Sequence, residues 1–240
     1  MLLLIPVFVI SKDLPDVIEK IDKSSVTVGS NSGEYCGSGV SIIRGNEVYI
    51  LTCCHIINDV KVITFLGTKF TFIKPQSILR VELDDKQEII KKHEYKAEIF
   101  KYSTNIDVCI LKVLQPDLKI FSNIEFYNSL KILPRGTKTI LVANFLDYQS
   151  TPGITGSATG TIGELSRKVR GSWKADIIYD SSITGGCSGA GVFNNNAEYI
   201  GLVFGKFSSN SLLYTPIREI RKWTDEQGIS WLLDKILDNK

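Results

Sequence analysis

Only two histidines occur among the 240 residues, so a general base has two addresses, His55 and His93. Cysteine is scarce too, and none of the five forms a C-x-x-C pair, which argues against a zinc site or a dithiol redox motif. Cys53 and Cys54 are adjacent, a poor arrangement for two bridges or for two ligands of one tetrahedral metal. The thiols read as small buried side chains, and neither a metal nor a cofactor is expected. An odd count slightly favours a reducing, intracellular setting, although one bridge beside three free thiols stays open. Charge of either sign is not in excess: 28 Lys and Arg face 26 Asp and Glu, leaving no basic stripe for phosphates, and no nucleic-acid partner is expected. No apolar run approaches the roughly 18–20 residues of a membrane-spanning helix. The one candidate for targeting is Leu2–Ile10, which has the length of a signal-peptide core. It lacks a basic flank and a small-x-small cleavage site, so a signal, a packed strand and a protomer contact all remain open.

What the sequence does hold is strand language. After a short helix at Leu14–Ile21, with Pro15 in its first turn, runs rich in β-branched residues alternate with Gly, Asn and Ser turns. Strands are predicted from Ser24 onward, at Gly39–Ile43, Val48–Thr52, Lys61–Phe65, Lys69–Ile73, Lys96–Tyr102 and Val108–Val113. A second series follows at Thr137–Asn144, Gly156–Ile162, Lys174–Tyr179, Gly191–Phe193, Tyr199–Phe204 and Ser211–Thr215. From Pro216 the period changes: Ile217, Ile220, Trp223 and Thr224 share a helical face, and apolar residues recur at helical spacing after Gly228. The pattern predicts an all-β barrel or sandwich closed by a terminal helix, with a linker-like break around Pro116–Asn128.

Three places carry chemistry. His93 lies in the charged stretch Lys91–Tyr95 and reads as surface, whereas His55 directly follows the apolar strand Tyr49–Thr52. Gly185–Gly191 places glycines and Ala190 around Cys187 and Ser188, a composition that lets the backbone turn sharply and aim amides at a developing oxyanion. Asp107 heads the apolar strand Val108–Leu111, where a buried carboxylate must find a donor. The order along the chain is His, Asp, Ser, that of chymotrypsin-type triads.

At these residues the sequence resembles the trypsin-like serine endopeptidases, and within them the HtrA/Deg branch. The matching stretches are Gly37-Ser38-Gly39-Val40, Leu51-Thr52-Cys53-Cys54-His55, Asp107-Val108-Cys109-Ile110-Leu111-Lys112 and Gly186-Cys187-Ser188-Gly189-Ala190. The resemblance runs from about Leu14 to about Lys222. It implies two antiparallel six-stranded β-barrels with the site between them, barrel 1 at about 24–120, barrel 2 at about 128–216 and a C-terminal helix at about 217–238, preceded by an N-terminal segment at 1–23. It further implies peptide-bond hydrolysis with a polypeptide as substrate, His55, Asp107 and Ser188 as the triad, and the amides of Gly186 and Ser188 as the oxyanion hole. Ser182, Phe204 and Leu212 would shape the substrate pocket. Trimers in this branch are often built through N-terminal segments, so a homo-oligomer through Met1–Ile10 is an expectation by analogy.

The sequence departs from the family in places. Cys187 stands where Asp or Asn commonly precedes the nucleophile, and no Ile-Val-Gly-Gly sequence precedes the first barrel. Activation by a newly cut amino terminus is therefore not expected. A PDZ module is not expected after the terminal helix. Two rival readings remain at this point: an inactive protease-fold binding module, and a cysteine protease with Cys187 as nucleophile.

Overall fold

The computed structural model describes residues 14–29, 35–57, 60–65, 68–73, 76–83, 89–127, 131–144, 155–169, 173–179, 181 and 185–234. The apolar segment Leu2–Ile10 and the expected pocket residue Ser182 lie outside these residues.

Helix α1 (Leu14–Asp22) buries Val17 and Ile21 and leads into the first barrel. There follow β1 (Ser25–Gly29), β2 (Tyr35–Arg44), β3 (Glu47–Thr52), a single 3-10 turn at Cys54–Ile56, β4 (Val60–Phe65), β5 (Thr68–Ile73), β6 (Gln76–Leu83), β7 (Ile89–Ser103) and β8 (Val108–Val113). Six of these close a barrel in the order β1-β2-β3-β8-β7-β6, while β4 and β5 form a separate two-stranded sheet. A two-residue turn joins β2 to β3, and Gly45 takes φ +58°, the left-handed conformation that such tight hairpins need.

The second half supplies β9 (Glu125–Phe126), β10 (Lys138–Asn144), β11 (Thr155–Val169), β12 (Trp173–Tyr179), β13 (Gly191–Asn194), β14 (Glu198–Ser208) and β15 (Ser211–Pro216). Strands β13-β10-β11-β12-β15-β14 form a sheet that the β13–β14 pairing closes into a second six-stranded antiparallel barrel, with β9 added in parallel to β14. The all-β, two-barrel architecture matches the sequence reading.

The apolar runs of β10, β13 and β14 are continuous because both of their faces are buried. Ile140, Val142, Phe193 and Leu202 join the core of the first barrel. Their neighbours Leu141, Ala143, Val192, Ile200 and Val203 fill the second. The two barrels therefore meet along a strip that belongs to both.

Helix α2 (Ile217–Glu226) packs Ile217, Ile220 and Trp223 onto that same shared core. It ends at Glu226 instead of running on toward residue 238, and Gly228 takes φ +69° directly after it. The apolar run that follows forms a 3-10 turn at Ser230–Leu232, burying Ile229, Leu232 and Leu233. Arg44 pins this turn, its guanidinium donating to the carbonyls of Trp231, Leu232 and Asp234. At the other end of α2, Arg218 makes two bonds, of 2.8 and 2.6 Å, to the carboxylate of Asp176 on β12, a residue only 1% exposed. Asp176 also accepts from the Ser166 amide at 2.8 Å and the Tyr214 hydroxyl at 3.2 Å, so the buried charge is fully paired. Among the described residues no helix is long and apolar enough to cross a membrane.

Candidate active site

His55 sits in the 3-10 turn that ends β3, and Asp107 in the turn between β7 and β8. Because β3 and β8 are hydrogen-bonded neighbours, with Thr52 paired to Cys109, the two turns lie side by side. Asp107 holds φ +54°, a left-handed conformation that Asp tolerates better than most side chains. Its two carboxylate oxygens are both used: Oδ1 accepts from the His55 amide at 2.9 Å, and Oδ2 stands 2.6 Å from His55 Nδ1. The double contact fixes the ring's orientation and leaves Nδ1 as the protonated nitrogen. From the second barrel, the Thr215 hydroxyl donates to the Ile106 carbonyl at 3.1 Å, just before Asp107.

On the other side of the seam, His55 Nε2 lies 2.9 Å from Ser188 Oγ. Ser188 is half-buried in the loop before β13. Gly189, next in sequence, takes φ +88°, and a Cβ there would fall 1.9 Å from the Ser38 carbonyl oxygen, so only glycine fits. The loop is held from the first barrel: the Ser38 amide donates to the Ser188 carbonyl at 2.8 Å, and the Ser38 hydroxyl to the Gly186 carbonyl at 2.9 Å. Within the second barrel, the Gly189 amide donates to Val203 O at 2.8 Å, and the Val203 amide to Ala190 O at 2.9 Å. Among the described residues, no backbone carbonyl accepts from the amides of Gly186 or Ser188.

The structure thus brings His55, Asp107 and Ser188 into one hydrogen-bonded line, with Gly186 two residues from the hydroxyl. Of the expected pocket residues, Leu212 is buried in the second barrel's core beside Cys187 and Val203. Phe204 packs elsewhere, against Ala175, Ile177 and Leu213 and against the first barrel's core.

Cys53, Cys54, Cys109 and Cys187 are thiols not joined in a disulfide. Cys187 is 5% exposed, and burial pushes its thiol up to about 12, with a small opposing pull from the Lys206 ammonium. Burial, then the nearby Asp107 charge, likewise raises Cys53 and Cys54. Cys53 Sγ, a ring nitrogen of His55 and an Asp107 oxygen lie within 4.8 Å of one another, a spacing compatible with a cation. Metal ligation needs a thiolate and an unprotonated ring nitrogen. Here the thiol is buried in its protonated form and bonded to Val203 O, and Nδ1 faces the carboxylate, so the set suits a proton relay better.

Sequence reasoning missed Ser38, Thr215 and Val203 as supports of this site. Val203 acts through its backbone alone, which has no residue-type signature.

The pattern of the trypsin-like peptidase domain matches residues 37–202. No curated protein matches the chain. Among solved structures, Deg5 aligns with a TM-score of 0.65 at 17% identity, covering 90% of this chain and 94% of Deg5. A serine endoprotease from Yersinia pestis aligns at 0.61 and 19% identity, over 90% of this chain and 66% of its own. An inactive serine-to-alanine form of Rv3671c from M. tuberculosis H37Rv aligns at 0.61 and 15% identity, over 95% and 97%.

Proposed function

Since the chain belongs to the trypsin-like peptidase domain family, we propose that it is a serine endopeptidase whose nucleophile is Ser188. The observation that carries this reading is the unbroken relay from Asp107 Oδ2 to His55 Nδ1 at 2.6 Å and from His55 Nε2 to Ser188 Oγ at 2.9 Å. Ser188 Oγ attacks the carbonyl carbon of the scissile peptide while His55 Nε2 takes its proton. Asp107 stabilises the imidazolium that forms and keeps the ring in register. The carbonyl oxygen, now negative, is received by the amides of Gly186 and Ser188. His55 then gives its proton to the leaving amine, an acyl-Ser188 ester remains, and water attacks it by the same relay in reverse. The substrate is a polypeptide, and Leu212, clustered with Cys187 of the nucleophile loop, borders the pocket for the residue before the cut. The catalytic unit spans residues 24–240.

The Cys187 alternative is opposed by burial in an apolar cluster and by a thiol held up at about 12, since the nucleophile is the thiolate. The inactive binding module is opposed by the presence of all three reactive groups within bonding distance. A fluorophosphonate probe separates the readings. Labelling at Ser188, abolished in Ser188→Ala and His55→Ala, is expected. Absence of labelling in a folded wild-type chain sinks the proposal, and loss of turnover on alkylation of Cys187 would favour the thiol.

A further inference from the structure

The reaction as described gives Cys53 no task. Its side chain is fully buried, two residues before His55, at the entry to the 3-10 turn, yet its thiol makes no capping bond to that turn. Cys53 Sγ instead reaches across the seam to the second barrel and donates to the Val203 carbonyl at 3.1 Å. The same oxygen accepts the amide of Gly189, the residue after Ser188, at 2.8 Å. A carbonyl has two lone pairs, and here one serves each arm of the site.

Resting on the serine-peptidase reading, we infer that Cys53 is a positioning residue: its S–H···O bond to Val203 sets the distance between the turn bearing His55 and the loop bearing Ser188. Several observations favour a donor over a filler. The thiol is directed at a carbonyl that already takes the Gly189 amide, so both arms of the site converge on one oxygen. Burial holds the Cys53 thiol well above its ordinary ionisation range, so the sulfur keeps the proton it donates. Val203 is itself clamped by its amide to Ala190 O at 2.9 Å, which makes it a fixed reference. Removing the thiol leaves Val203 O with its Gly189 donor and creates no orphaned polar group, so the loss falls on alignment more than on stability.

The test compares full-length wild type, C53A and C53S. Activity is expressed as kcat per site titrated with the phosphonate, so that misfolded molecules do not count. C53A should lose about threefold to tenfold in kcat with little change in KM, as expected when a weak bond holds a reacting pair in line. C53S, which restores a donor, should recover most of it. In a wild-type minus C53A infrared difference spectrum, the S–H stretch should lie below the free-thiol frequency. An unshifted S–H stretch overturns the inference. So does a C53A chain whose titre or melting temperature drops while kcat per site holds, since that marks a filler. A folded wild type that takes no phosphonate fails at the earlier step, sinking the serine-peptidase reading and this role together.

Discussion

The hydroxyl of Thr215, on the last strand of the second barrel, donates to the carbonyl of Ile106 at 3.1 Å and so steadies the turn that presents Asp107. Asp107 occupies a left-handed conformation that costs on the order of 1 kcal/mol and persists only where its surroundings enforce it. Thr215→Val keeps the volume and withdraws the donor. It should lower stability by about 1 kcal/mol and reduce kcat more than it raises KM, because the Asp107–His55 bond loses a brace. Urea denaturation and steady-state kinetics on one protein preparation check both halves. Unchanged kcat would separate this bond from catalysis.

Substrate choice follows from the β14–β15 ladder. Lys206 lies opposite Leu212, and its ammonium is close enough to act on the Cys187 thiol, so positive charge already stands near the expected pocket. Arg or Lys before the cut should be cleaved at least ~10-fold less efficiently than Val, Ala or Leu, a gap matching one like-charge contact near the surface. A peptide library cut chiefly after Arg, Lys or Trp would contradict this.

Arg218→Ala should be severe, about 3–5 kcal/mol, because it strands the Asp176 carboxylate in a site that is 1% exposed. An Arg218→Met, Asp176→Leu pair should lose less than Arg218→Ala alone, since neither charge then remains buried. Equilibrium denaturation gives the comparison. If the double variant is the weaker of the two, Tyr214 and Ser166 matter more than the charge pair.

Alkaline sensitivity has a definite sign. The Cys187 thiol ionises near its ordinary 9.0 in the unfolded chain and at about 12 when folded. Between those values the folded state holds the extra proton. The contribution is fully present below pH 9.0 and is lost as pH rises toward 12, at up to about 1.4 kcal/mol per pH unit for one thiol. Cys187→Ala should flatten the fall in stability over that window by up to one proton. An identical slope in both proteins would mean that other groups, such as buried Cys109 and Tyr199, govern it.

The strands with clean apolar character, β2, β3, β8, β10, β13 and β15, were legible within a few residues because burial dictates their composition. Strand β6 was not, for Gln76–Leu83 adjoins Pro75 and a run of charges, and its reason to be extended is closure of the barrel between β1 and β7. The charged Lys91–Tyr95 stretch is largely exposed, as its composition suggests, but its backbone is part of β7, paired with β6, which the charges gave no sign of. The end of the chain misled for the opposite reason: its periodicity is helical, but it forms a 3-10 turn that Arg44, far away in sequence, pins by its carbonyls. At the site, scarcity made His55 easy to find and glycine density made Ser188 conspicuous. Many of the contacts that align them end on main-chain carbonyls, those of Ile106, Gly186, Ser188 and Val203, which carry no residue-type signature.

The strip of Ile140, Val142, Phe193 and Leu202 that belongs to both cores has a consequence for how the molecule comes apart. A cut between Tyr127 and Lys131 severs no barrel strand, yet each piece would expose the apolar flank that the other covers. Neither half should hold its shape alone, and mixing them should rebuild the whole by fragment complementation. The same continuity means that the two barrels cannot part without exposing buried apolar side chains of both.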